Sequence, residues 1–76
     1  MSTISYMLEV YEPESKKDCI CSYSADTVFP TISEGEILDF TYLERRVRAT
    51  EIIHLVWENE NRVSFKTMIF TENTSS

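Results

Sequence analysis

Apolar and polar residues alternate near the start of the chain. Ile4, Tyr6, Leu8 and Val10 fall on one face of an extended strand, and Ser5, Met7, Glu9 and Tyr11 on the other. This predicts a first strand whose Ile4 set faces the core. Proline and a charge cluster break the pattern over Glu12-Pro13-Glu14-Ser15-Lys16-Lys17-Asp18, a turn. Cys19 to Tyr23 reads as a short second strand. Ser24-Ala25-Asp26-Thr27 then leads into Val28-Phe29-Pro30, where the proline points to an edge or a loop.

Two patterns overlap from Ser33 to Val47. Ser33-Glu34-Gly35-Glu36 fits a helix capping box, and Ile37, Phe40, Leu43 and Val47 recur at roughly helical spacing. Such a helix would end before Ala49. Phe40, Thr41, Tyr42, Val47 and Thr50 favour strands instead, and Gly35 would weaken the first helical turn. The strand reading is preferred.

The C-terminal half reads as a hairpin, Ile52–Glu58 and Arg62–Thr71, around Asn59-Glu60-Asn61. A three-residue loop with Asn61 in the left-handed region pairs Glu58 with Arg62, and faces Trp57 with Val63, Leu55 with Phe65 and Ile53 with Thr67. A two-residue loop, Glu60-Asn61, opposes Trp57 to Ser64 and Glu58 to Val63. The first sets apolar against apolar and is preferred. It predicts a core of Leu55, Trp57, Val63 and Phe65 together with Leu8 and Val10. The alternation fails at Glu51-Ile52-Ile53, where a bulge or bend is expected. Glu72 to Ser76 is polar and is expected to fray.

Seventy-six residues make one domain, 1–76, with one core. Gly35 is the only glycine, which excludes glycine-rich phosphate cradles. Thirteen acidic residues against seven basic ones leave a net charge of −6, which tells against nucleic acid and anionic membranes as partners. No apolar run is long enough to span a bilayer, and the first residues resemble no signal peptide. Two cysteines so close together cannot staple a secreted fold, so a cytoplasmic setting is expected.

Candidate chemistry is sparse. Cys19, Cys21 and His54 are the one possible soft-metal or redox set, but a one-residue gap on a strand holds two sulfurs about 6–7 Å apart on one face. Small hydrophobes on a core strand is the preferred reading of the cysteines. His54 reads as a surface residue with Lys66 across the hairpin. No pair of carboxylates stands out as acid and base, so no catalytic residue, metal, cofactor or small-molecule substrate is assigned. Arg45, Arg46 and Arg48 could meet phosphate or a partner's carboxylates, or pair with the chain's own Glu44, Glu51 and Glu72. The Tyr and Phe residues resemble the stacking platform of an oligonucleotide-binding barrel, although such platforms line basic grooves.

The order of a strand, a turn, Phe29-Pro30, Ile32-x-x-Gly35-Glu36 and a long hairpin resembles small SH3-like barrels in outline. The resemblance carries no functional residue across. The expected fold is all-β with at most one short helix: a small, partly open SH3-like barrel or strongly bent antiparallel sheet of about five strands. The expected role is a non-catalytic protein-binding module, acting as an adaptor, inhibitor or regulatory subunit through a sheet face or edge. Its partner is another protein or a second copy. If the first and last strands are neighbours, Met7, Tyr11, Met68 and Phe70 form an apolar stripe rimmed by Glu9, Lys66 and Glu72, unless the Ser24–Thr41 segment covers it. The alternatives are a single-stranded nucleic-acid binder using Arg45, Arg46, Arg48 and exposed aromatics, and a metal or redox protein using Cys19, Cys21 and His54.

Overall fold

The computed structural model describes residues 3–74. It has five strands: β1 (Thr3–Tyr11), β2 (Cys19–Ala25), β3 (Ile37–Phe40), β4 (Arg45–Asn59) and β5 (Arg62–Asn73). They form one sheet in the order β2-β1-β5-β4-β3, curled into a half-barrel. Three pairings are antiparallel and one, β1 with β5, is parallel. The chain's path requires this. Each strand reverses the one before it, so the first and fifth run the same way and can pair side by side only in parallel. The partly open five-strand barrel expected from the sequence is present, with a mixed sheet in place of an antiparallel one.

The seam left open lies between β2 and β3. Tyr23 of β2 and Tyr42, just after β3, bridge it hydroxyl to hydroxyl at 2.7 Å. The helical reading of Ser33–Val47 is corrected to β3, one 3-10 turn (Thr41–Leu43) and the start of β4. The supposed capping box is a tight turn in which the Glu36 N–H donates to the Ser33 carbonyl at 3.2 Å. Gly35 has φ +90°, outside the right-handed helical region, and its N–H donates to the Ala49 carbonyl at 2.7 Å.

The core sits where all five strands overlap. Leu8, Val10, Ala49 and Ile69 form its buried centre on the concave face, with Ile20, Cys21, Leu38, Phe40 and Ile52 packed around them. Phe29 and Ile32, from the segment joining β2 to β3, close over it. That segment therefore covers the concave face, not the outer one that carries the predicted stripe.

The preferred hairpin register is overturned. Asn59 faces Arg62, Glu58 faces Val63, Trp57 faces Ser64 and Leu55 faces Lys66. The loop is the two-residue one, and its left-handed residue is Glu60 (φ 55°), not Asn61. The expected bulge falls earlier, at Thr50, where the register shifts between Ala49 and Glu51 and the Thr50 hydroxyl donates to the Phe70 carbonyl at 3.1 Å. The cause lies in the core. Val47, Ala49 and Ile69 must face inward together, and the bulge then turns Ile52, His54 and Val56 to the concave side. Ile53, Leu55 and Trp57 go to the outer face. Of the six predicted core residues only Leu8 and Val10 are buried; Val63 and Phe65 are half-buried, while Leu55 and Trp57 are 38% and 45% exposed. Of the polar tail, Glu72 and Asn73 pair within β5 opposite Arg48 and Val47. Ser75 and Ser76 lie outside the described residues.

Candidate interaction site

β1 and β5 are neighbours, so Met7, Tyr11, Met68 and Phe70 do share the outer face. Their chain uses much of that stripe itself. Tyr11 and Phe70 stack at 5.1 Å between ring centroids, the Lys16 ammonium sits 5.5 Å from the Phe70 ring centre, and Tyr11 is buried. The Tyr11 hydroxyl donates to Glu9 Oε1 at 2.8 Å, and its carbonyl accepts from the Thr71 hydroxyl at 2.7 Å. Burial, reinforced by Glu9, pushes the Tyr11 phenol well above its ordinary pKa. Glu9 and Lys66, expected at the rim, form an ion pair within the stripe. The hydrogen bond from Lys66 holds the Glu9 carboxyl below its ordinary value, against the opposing effect of burial. Tyr11 is therefore a structural residue rather than an open contact; Met7, Met68 and Phe70 stay half-exposed.

The three arginines also meet carboxylates of their own chain. Arg45 grips Glu12 through two bonds of 3.0 and 2.9 Å, Arg46 bonds Asp39 at 3.1 Å, and Arg48 lies 3.6 Å from Glu72. Of the partners expected from the sequence only Glu72 is used. The Arg45 fork lowers the Glu12 carboxyl and is itself raised in return. Each arginine thus has an acidic partner within the chain, with Arg46 and Arg48 still 68% and 41% exposed, and Tyr6 stacks on Phe65 at 5.4 Å rather than standing free.

The soft-metal set is not assembled. Cys19 and Cys21 lie on β2 and His54 on β4, with β1 and β5 between them. Among the described residues no cluster of three His, Cys, Asp or Glu could hold an ion. Cys19 is exposed and Cys21 half-buried, and burial raises the Cys21 thiol, which keeps it protonated and unreactive at neutral pH. His54 is exposed as expected, but its neighbour across the hairpin is Thr67, at 3.2 Å from Nδ1, not Lys66. Both line a cavity of about 250 Å³ with Tyr6, Leu8, Phe29 and Ile32. That is below the roughly 300–1,000 Å³ of ordinary small-molecule pockets.

Leu55 and Trp57, expected in the core, lie exposed on the outer face of β4 instead. β3 covers β4 only over Arg45–Arg48, with Gly35 and Glu36 reaching Ala49. Beyond Thr50 the strand is a bare edge. A two-residue loop closes on a hydrogen-bonded pair, here Asn59 with Arg62, and such pairs alternate along an antiparallel ladder. The N–H and C=O groups of Ile53, Leu55 and Trp57 thus point to β5, and those of Ile52, His54, Val56 and Glu58 point away from it. Val56 is 60% exposed. The guards of this edge, Glu51, Glu58 and the bulge at Thr50, sit at its ends, and Ile52–Trp57 between them carries neither lysine nor proline. Comparison with protein-family models, with curated proteins and with solved structures finds no match.

Proposed function

We propose that the protein is a non-catalytic protein-binding module whose contact surface is the β4–β5 arm. The observation that carries this is the bare edge from Ile52 to Glu58, flanked on the outer face by Ile53, Leu55 and Trp57 and, across β5, by Met68. An incoming strand would take up the backbone groups of Ile52, His54, Val56 and Glu58, and its side chains would rest on Leu55 and Trp57. Phe70 and Met7 extend the apolar surface along the same face, while Tyr11 props Phe70 from beneath the contact. Arg46 and Arg48, engaged with Asp39 and Glu72, form a polar margin rather than the anchor. No activated thiol or paired carboxylate is needed for this role. Among the described residues no helix is long and apolar enough to cross a membrane. Two unbridged thiols suit the cytoplasmic setting proposed with this reading.

The test is partner capture with the immobilised protein and two variants. Val56→Pro blocks the edge without removing a bond to β5, and Trp57→Ala removes the largest outer side chain. The expected result is that a protein partner is retained by the wild type, survives nuclease treatment, and is lost with both variants. Equal retention by wild type and both variants would place the contact elsewhere.

A further inference from the structure

We infer that the free edge of β4 pairs with the same edge of a second copy, in antiparallel register about a two-fold axis through Leu55. This rests on the reading of the β4–β5 arm as a binding surface, and names its occupant. Only residues whose backbone groups face outward can exchange hydrogen bonds across such an axis, so Ile52, His54, Val56 and Glu58 must meet one another. Opposed positions therefore sum to an even number. The one register that sets Glu51 against Glu58, summing to an odd number, is excluded by geometry, which removes the worst charge clash this edge could make with itself.

Three even registers are close in length. Centring on His54 sets Glu51 opposite Trp57. Centring on Val56 carries Ile52 out to the loop residue Glu60 and shortens the ladder. Centring on Leu55 uses the whole of Glu51–Asn59, and it opposes Leu55 to itself and Ile53 to Trp57 twice. The outer face then carries six apolar side chains in one row across the junction, ended on each side by Glu51 against Asn59. On the concave face His54 meets Val56, and Ile52 meets Glu58 at the ends. The product is a sheet continuous through both copies.

Sedimentation equilibrium of the full chain, from about 1 μM to 1 mM, tests the pairing. A monomer–dimer equilibrium is expected, weakened roughly a hundredfold by Leu55→Lys, which sets two like charges on the axis. Val56→Pro should also abolish it, because its missing N–H and its ring both face the partner. In a Cys19→Ser, Cys21→Ser background, Leu55→Cys should cross-link under oxidised glutathione. Directly opposed non-hydrogen-bonded residues have Cα atoms about 4.5 Å apart, within disulfide reach. His54→Cys and Val56→Cys should not cross-link. A strict monomer, or a dimer indifferent to Leu55→Lys and Val56→Pro, would overturn the inference. Cross-linking through position 54 or 56 alone would overturn the register. If the chain is monomeric yet partner capture still depends on Val56, the proposed function stands and only self-pairing falls.

Discussion

Glu60 holds a left-handed backbone (φ 55°) that an L-residue with a long side chain adopts at a cost. Glu60→Gly should therefore raise stability, by up to about 1 kcal/mol, and Glu60→Val should lower it by about 1 kcal/mol or more, read from urea denaturation. The same substitutions at Asn61 should have little effect, since that residue keeps a negative φ. Glu9 offers a second handle. Its carboxyl is depressed below the ordinary value of 4.5 in the folded state, chiefly by Lys66. A depressed acid contributes stability that is present above its unfolded value and is lost as pH falls through the folded one. Glu9→Gln should accordingly unfold with a shallower dependence on pH than the wild type as the pH falls below about 4.5. An unchanged acid limb would mean that the Glu9–Lys66 pair is not formed in solution.

The strands themselves divide between what local pattern reveals and what only the whole sheet decides. β1 was legible because Ile4, Tyr6, Leu8 and Val10 alternate without interruption. The hairpin was legible as a hairpin, since two β-rich runs flank Asn59-Glu60-Asn61. Its register was not. Matching Trp57 to Val63 assumed that Trp57 and Leu55 lie over a core, yet the arm runs past β3 and packs through its other face, where Phe65 stacks on Tyr6. The face of β4 is decided ten residues upstream, where Val47 and Ala49 pack and Thr50 bulges, and a single displaced residue inverts every side chain beyond it. The stripe of Met7, Met68 and Phe70 was found from β1 and β5 alone, whereas Leu55, Val56 and Trp57 were missed because their exposure depends on that bulge. Truncation should sort the two ends of the hairpin. Ile69→Ala should cost about 2–5 kcal/mol, a large part of the stability of so small a domain, while Trp57→Ala should cost under about 1 kcal/mol. Denaturant midpoints in the reverse order would restore the arm to the core.

At the scale of the whole molecule the half-barrel is elongated, 49 × 21 × 20 Å, with the packed core where the five strands overlap and the β4–β5 arm extending beyond β3. Each copy carries a net charge of −6, so two copies repel at long range, and salt that screens this repulsion should strengthen self-pairing. Binding to a nucleic acid would weaken with salt instead, which separates the two by a titration. The central claim, an open edge on β4 set by the two-residue loop, is tested most directly by amide hydrogen exchange resolved along residues 51–59 in dilute and concentrated protein. In dilute solution the N–H groups of Ile52, His54, Val56 and Glu58 should exchange fast, and those of Ile53, Leu55 and Trp57 slowly; concentration should protect the first set alone. Slow exchange at all positions in dilute protein, or fast exchange at Ile53, Leu55 and Trp57 with protection at their neighbours, would contradict it.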